Sequence, residues 1–199
     1  MNKKRTQLVF ATHNRNKLKE VQTLLPSPML LLSLDDIGCH EEIIEDALTI
    51  EGNALIKANY VLKHYGLPCF ADDTGLEVNA LHGEPGVYSA RYAGLQRKAE
   101  DNNHLLLENL APHQDRSARF KTVIALARRD EEPLFFEGIC PGLITKTPRG
   151  ADGFGYDPIF QPDGYQQTFA QMPLELKNKI GHRGRAMKKL LAFLDQEKI

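Results

Sequence analysis

Apolar positions along the chain come in two kinds of run, short continuous stretches and residues recurring at helical spacing, and these predict strands and helices in turn. Leu8 to Thr12 reads as a buried strand. Asn14-Arg15-Asn16 is a polar break, after which Leu18, Val21, Leu24 and Leu25 follow a helical period until Pro26 and Pro28 stop it. A second short strand is expected over Met29 to Leu34. Leu55, Ala58, Val61 and Leu62 mark a helix from about Thr49 to His64, with Gly66 as its C-terminal stop and Pro68 beyond. Cys69-Phe70-Ala71 is a buried strand end that runs into Asp72-Asp73-Thr74-Gly75, a turn signal, and Leu76 to Val78 resumes.

The middle of the chain holds a loop at His82-Gly83-Glu84-Pro85-Gly86 and then a helix ending near Leu110 and Pro112. Ala118 to Arg128 and Leu134 to Thr145 are strands separated by Asp130-Glu131-Glu132-Pro133, which predicts an antiparallel hairpin. Arg149 to Pro162 has no periodicity and reads as a long loop, of the kind that often carries function. The last helix places Ala186, Met187, Leu190, Leu191 and Leu194 on one stripe, with Gly181 to Gly184 at its start. Helices interleaved with strands of both kinds predict an α/β fold on a mixed sheet, with residues 1–199 forming a single domain.

Composition narrows the class. With 42% hydrophobic and 26% charged residues among 199, the chain can bury a core and fold alone. Its apolar runs, such as Met29 to Leu32, fall far short of the roughly 20 residues that cross a bilayer. The basic start from Met1 to Gln7 leads into a short strand and not a signal core, so a cytoplasmic protein is expected. Cys39, Cys69 and Cys140 are too far apart for a zinc knuckle and odd in number, which favours buried free thiols.

Net charge is only −1, yet it is segregated. No Lys or Arg lies between Glu20 and Ile56, where Asp35, Asp36, Glu41, Glu42, Glu45, Asp46 and Glu51 fall. Lys177, Lys179, Arg183, Arg185, Lys188 and Lys189 crowd the stretch from Leu176 to Leu194 without one acid. Solvated faces account for such a pattern, and so does an anionic ligand that carries a divalent metal. A near-neutral chain with a long acidic stretch argues against a nucleic-acid binder.

Four places offer chemistry. Thr12-His13-Asn14-Arg15-Asn16-Lys17 lies where a strand gives way to a helix, and backbone N–H groups there, with Arg15 and Lys17, favour a phosphate. No Gly-Lys dipeptide and no G-x-G-x-x-G occur, so a standard P-loop or dinucleotide fold is excluded. Asp72 and Asp73 emerge together from an apolar strand and need a compensating cation, and strand alternation turns one of them to each face. Phe154-Gly155-Tyr156-Asp157-Pro158, in a chain without Trp, offers a stacking face and an acceptor for a purine. Lys177, Lys179, His182 and Arg183 precede the last helix in an anion-friendly position.

In order and wording these segments resemble the inosine/xanthosine triphosphate pyrophosphatase family, which removes non-canonical purine nucleotides. The resemblance is carried by Phe10 to Lys17, by Thr49-Ile50-Glu51-Gly52-Asn53-Ala54 with Lys57-Ala58, by Ala71 to Leu76, by Pro85 to Tyr92, by Gly153 to Phe160, and by Lys177 with Gly181-His182-Arg183-Gly184. It runs from about Val9 to Leu194. It implies an elongated α/β fold with two lobes enclosing a nucleotide cleft, a homodimer, Mg2+ dependence, and hydrolysis of dITP, ITP and XTP to monophosphate and pyrophosphate. It also implies that Thr12, His13, Asn14, Arg15, Asn16 and Lys17 bind the triphosphate and that Lys57 reaches it from a helix. Asp73 is implied as metal ligand and base, and Glu45 as second metal ligand, with Glu41, Glu42 and Asp46 as alternatives. Thr74 is expected to touch substrate, and Phe154, Gly155, Tyr156, Asp157, Lys177, His182 and Arg183 to frame the base. His13 and Asn16 stand where many members have Gly. A pyrophosphatase for pyrimidine or methylated nucleotides on a similar fold is the alternative.

Overall fold

A computed structural model describes residues 7–26 and 29–197, so Pro28 and the basic start before Gln7 lie outside the described residues. Its strands are β1 (Gln7–Phe10), β2 (Leu30–Leu32), β3 (Cys69–Val78), β4 (Pro85–Gly86), β5 (Ser117–Ala127), β6 (Leu134–Ile144) and β7 (Phe160–Pro162). Its α-helices are α1 (Arg15–Gln22), α2 (Ile50–Tyr65), α3 (Ala99–Asn109), α4 (Leu174–Ile180) and α5 (His182–Gln196). The strand order is β2-β1-β3-β5-β6-β7, with β4 on β3. β1 runs parallel to β2 and β3, while β3–β4 and β6–β7 are antiparallel, which makes the mixed α/β sheet that the pattern predicts. No helix among the described residues is long and apolar enough to cross a membrane.

The chain divides into two compact units, and the divisions fall inside β3, β5, β6 and the start of α5. The first comprises Met1–Asp73, Val123–Glu137 and Gly184–Ile199. Its strands are apolar on both sides because both sides are covered. Val9, Ala11, Cys69, Ala71, Ala125 and Ala127 face the α2 residues Ala54, Ala58 and Val61. The alternate residues Leu8, Phe10, Phe70, Ile124 and Leu126 face Val21 of α1 and Ala186, Met187 and Leu190 of α5. Phe10 and Phe70 stack there, with ring centroids 4.7 Å apart. Each fully buried Val, Leu, Ile, Phe or Met side chain among these contributes roughly 1.5–3 kcal/mol.

Local chemistry sets the ends of α2. Thr49 Oγ1 accepts from the Gly52 N–H at 3.0 Å, and Gly66, left-handed at φ 67°, donates its N–H to the Leu62 carbonyl at 3.0 Å. The second unit comprises Thr74–Thr122 and Gly138–Arg183. Its core gathers Leu76, Leu106, Leu110, Phe120, Ile144, Phe160 and Phe169. Cys39, Cys69 and Cys140 are buried free thiols.

The structure corrects several expectations. β3 does not turn at Asp72-Asp73-Thr74-Gly75 but continues through it to Val78, because each polar side chain there finds a partner that an extended backbone can reach. Asn14 is the N-cap of α1, so Arg15 and Asn16 belong to the helix and not to a break before it. β2 is only three residues long. The Arg149 to Pro162 stretch ends in β7 and is not all loop. Lys177 and Lys179 lie inside α4, a helix that the sequence pattern misses, and only His182 and Arg183 open α5.

Candidate functional site

In the first unit, the turn from Thr12 to Lys17 is built by its own side chains. Asn14 Oδ1 accepts from the N–H groups of Asn16 and Lys17 at 3.0 and 3.2 Å, and Thr12 Oγ1 accepts from the Asn14 N–H at 3.1 Å. Two backbone donors in the turn, those of Asn16 and Lys17, are therefore already used in capping α1, and a third, that of Asn14, is used within the turn itself. What the turn presents is side-chain charge. His13, Asn14, Arg15 and Asn16 are exposed, Thr12 and Lys17 half-buried. His13 Nε2 lies 3.1 Å from the Glu41 carbonyl oxygen, which ties the turn to the acidic stretch.

The adjacent carboxylates take separate cations. Asp72, with 1% exposure, pairs with Lys17 Nζ at 3.0 Å. Asp73 faces Lys57 Nζ at 3.7 Å and accepts from Asn53 Nδ2 at 3.3 Å. Strand alternation thus separates the pair as the period-2 argument requires. Lys57 also donates to Glu45 at 2.8 Å, so one ammonium holds two carboxylates. The acid alternatives separate as well: Glu41 is spent on the Tyr60 and Tyr65 hydroxyls at 2.8 and 3.0 Å. Its own backbone amide and these two tyrosines hold its carboxyl down at about 2.

Burial raises the Asp73 carboxyl above the usual carboxylate range, Lys57 and Lys17 draw it down, and Glu45 and Asp72 push it up again. For Lys57 burial disfavours the charge, yet Asp73, Glu45 and Asp72 outweigh it and raise its pKa. Two carboxylates turned to one point form an all-oxygen donor pair suited to a hard divalent cation. Among the described residues no three His, Cys, Asp or Glu gather for a metal, so a cation held by Asp73 and Glu45 would complete its shell with phosphate oxygens and water.

In the second unit, the loop after β6 carries the aromatic segment. Phe154 is half-buried, with Lys177 Nζ 4.7 Å and the Arg183 guanidinium carbon 5.7 Å from its ring centroid. Asp157 Oδ2 accepts from the Phe154 N–H at 2.8 Å and pairs with buried Lys177 Nζ at 2.5 Å. That makes Asp157 a clasp that shapes the loop. Gly155, at φ 62°, sits where a side chain would strain the backbone, and its carbonyl accepts from Asn103 of α3 at 3.1 Å. Tyr156 turns inward, buried, with its hydroxyl donating to the Ser89 carbonyl at 2.9 Å.

Thr74, His182 and Arg183 meet through a residue that the sequence reading missed. Thr122 on β5 lies 2.6 Å from Thr74 Oγ1 and 2.6 Å from His182 Nδ1, and Arg183 Nη2 donates to Thr74 Oγ1 at 3.2 Å. Asn53 and Asn103 are also absent from the sequence-level candidates. Asn53 had a signal: with Lys57 it is a polar member of the buried stripe Ile50, Asn53, Ala54, Lys57, Ala58, Val61, where an ordinary amphipathic helix is apolar. Thr122 and Asn103 had none, because a Thr in a strand and an Asn in a helix are unremarkable until their neighbours are known.

The chain is similar to known proteins over nearly its whole length. The model of the Ham1 family matches residues 8–193. A dITP/XTP pyrophosphatase of Flavobacterium johnsoniae is 55% identical over 192 residues, covering 96% of this chain and 100% of that one. The dITP/XTP pyrophosphatase of Flavobacterium psychrophilum is 58% identical over 187 residues, covering 94% and 98%. Among solved structures, the Staphylococcus aureus Ham1 protein has a TM-score of 0.88 at 38% identity and covers 96% of this chain and 100% of that one. A match that takes in nearly every element from β1 to α5, at this identity, makes the chain a member of the Ham1 family.

Proposed function

We propose that the protein is a nucleoside triphosphate pyrophosphatase that hydrolyses non-canonical purine nucleotides, dITP, ITP and XTP, to the monophosphate and pyrophosphate. The observation that carries this reading is the clasp of Glu45 and Asp73 on Lys57, with Lys17 held by Asp72 in the same unit: acids for a metal and lysines for phosphates, side by side. The names of the relatives, dITP/XTP pyrophosphatases, support the same substrate class.

Lys17 and Lys57 bind phosphate oxygens and offset their charge. Glu45 and Asp73 would hold Mg2+, which would supply charge neutralisation for the phosphates. Asp73 accepts a proton from the attacking water as its oxygen bonds to the α-phosphorus, and the bond from that phosphorus to the bridging oxygen breaks, releasing pyrophosphate. Phe154 stacks on the purine, Arg183 offers donors to its 6-keto oxygen, and the Asp157–Lys177 pair keeps the loop in shape. Most of the catalysis is positioning and electrostatics. The whole chain acts as one functional domain, as a cytoplasmic homodimer, and sedimentation at equilibrium tests its oligomeric state.

A panel of dITP, XTP and ATP with Mg2+, read by chromatography, is expected to give monophosphate and pyrophosphate from the first two and little from ATP. A chelator is expected to abolish turnover and added Mg2+ to restore it. Orthophosphate with a diphosphate product overturns the reading. Lys17→Ala is expected to weaken triphosphate binding by about one to two decades, the value of a charged hydrogen bond. An unchanged apparent affinity would remove the Thr12 to Lys17 turn as the phosphate site.

A further inference from the structure

We propose that Thr122 is a positioning residue that fixes the tautomer of His182, keeping the proton on Nε2 and leaving Nδ1 an acceptor. The inference rests on the reading of His182 as a residue of the base site, and it concerns which purine edge that site accepts. Four groups form one chain within the second unit: Arg183 Nη2, Thr74 Oγ1, Thr122 Oγ1 and His182 Nδ1, at successive distances of 3.2, 2.6 and 2.6 Å.

The direction of this chain follows from what each group can give. A guanidinium donates only, so Thr74 Oγ1 accepts at that end. Among the described residues Thr74 Oγ1 has Arg183 and Thr122 as hydrogen-bond partners, and Thr122 Oγ1 has Thr74 and His182. If Thr74 donates to Thr122, and Thr122 to Nδ1, every hydroxyl proton has a protein acceptor. In the opposite sense His182 Nδ1–H donates to Thr122, Thr122 donates to Thr74, and Thr74 accepts twice with no protein acceptor for its own proton. The first pattern runs unbroken from an obligate donor, and each bond polarises the next in the same sense.

Packing keeps the ring from evading this choice. Phe120 and Thr122 are two residues apart on β5 and therefore on one face, and the Phe120 ring stacks on His182 with centroids 4.5 Å apart and planes 24° apart. His182 is 4% exposed and Thr122 fully buried. With Nδ1 an acceptor for Thr122, the neutral ring carries its proton on Nε2 and is a donor there. A donor suits the 6-keto oxygen of inosine or xanthine and meets the 6-amino group of adenine donor to donor.

The test reads the tautomer directly. Protein labelled with 15N-histidine is examined by long-range 1H–15N correlation at about pH 8.5, where an imidazole is neutral, with His182 assigned by its loss in His182→Gln. Nδ1 is expected at a pyridine-type shift and Nε2 at a pyrrole-type shift. Thr122→Val, which removes the hydroxyl and keeps the branched shape, is expected to shift both nitrogens toward a mixture of tautomers. It is also expected to narrow the ITP to ATP ratio of kcat/KM by about tenfold, the worth of one hydrogen bond. Thr122→Ser is expected to restore both the spectrum and the ratio. A pyrrole-type Nδ1 in the wild-type protein overturns the proposal whatever the variants do, as does a Thr122→Val protein with an unchanged spectrum. The wild-type spectrum decides even if Thr122→Val does not fold. Wild-type protein that cleaves no non-canonical purine triphosphate would overturn the functional reading instead, with the tautomer still read from the ring.

Discussion

Asp73→Asn is expected to lose nearly all turnover while the protein stays folded. The amide binds a divalent cation poorly and takes no proton from water, and loss of a general base alone costs roughly 10²–10⁴ in rate. Stability is not expected to suffer, because burial raises the Asp73 carboxyl and the folded state holds its charge at a cost. Asn can still accept from Asn53 in place of the carboxylate oxygen, which now receives that bond at 3.3 Å. Asp72→Asn is expected to act differently. Asp72 holds Lys17 at 3.0 Å, so its loss loosens the ammonium proposed to bind phosphate and is expected to show mainly in KM. Steady-state kinetics with dITP, beside thermal melts, separate the two. Equal and complete loss of kcat in both variants, with normal melts, would show that the two carboxylates act together.

The largest stability effect is expected at the second unit's clasp. Asp157→Ala removes the carboxylate that pairs with Lys177 at 2.5 Å and accepts from the Phe154 N–H at 2.8 Å. Both side chains of that ion pair are buried, and breaking a buried pair from one side costs about 3–5 kcal/mol. Urea unfolding measures this as a fall in the midpoint. Adding Lys177→Met to Asp157→Ala is expected to recover much of the loss, since the charge left in the interior is then gone as well. A protein as stable as wild type, but with poor affinity for dITP, would place Asp157 on the substrate and not on the loop.

How far the sequence reaches is visible in particular elements. α2 was legible to its ends, because Thr49 and Gly66 supply cap chemistry that is local. The two-sided burial of β1 and of the start of β3 was legible as continuous apolar runs. The path of β3 through Asp72-Asp73-Thr74-Gly75 was not. Locally those four residues favour a turn, and the strand persists only because Lys17, Lys57 and Thr122, distant in sequence, satisfy their side chains. α4 escaped for a similar reason: its seven residues are too few to show a period, and its buried Lys177 reads as a solvent-facing charge until Asp157 is beside it.

The residue types of the site, its order along the chain and the family it resembles were determined by the sequence alone, since chemistry and motif wording are one-dimensional facts. Which carboxylate faces which lysine was decided only by the tertiary structure. So were the use of the Asn16 and Lys17 N–H groups in the α1 cap, the inward turn of Tyr156, and the line of hydroxyls from Arg183 to His182. The physical reason is common to all of them. A hydrogen bond or ion pair is specified by two partners within about 3 Å, and these partners stand up to 109 residues apart, so no local pattern carries the pairing until the sheet brings them together.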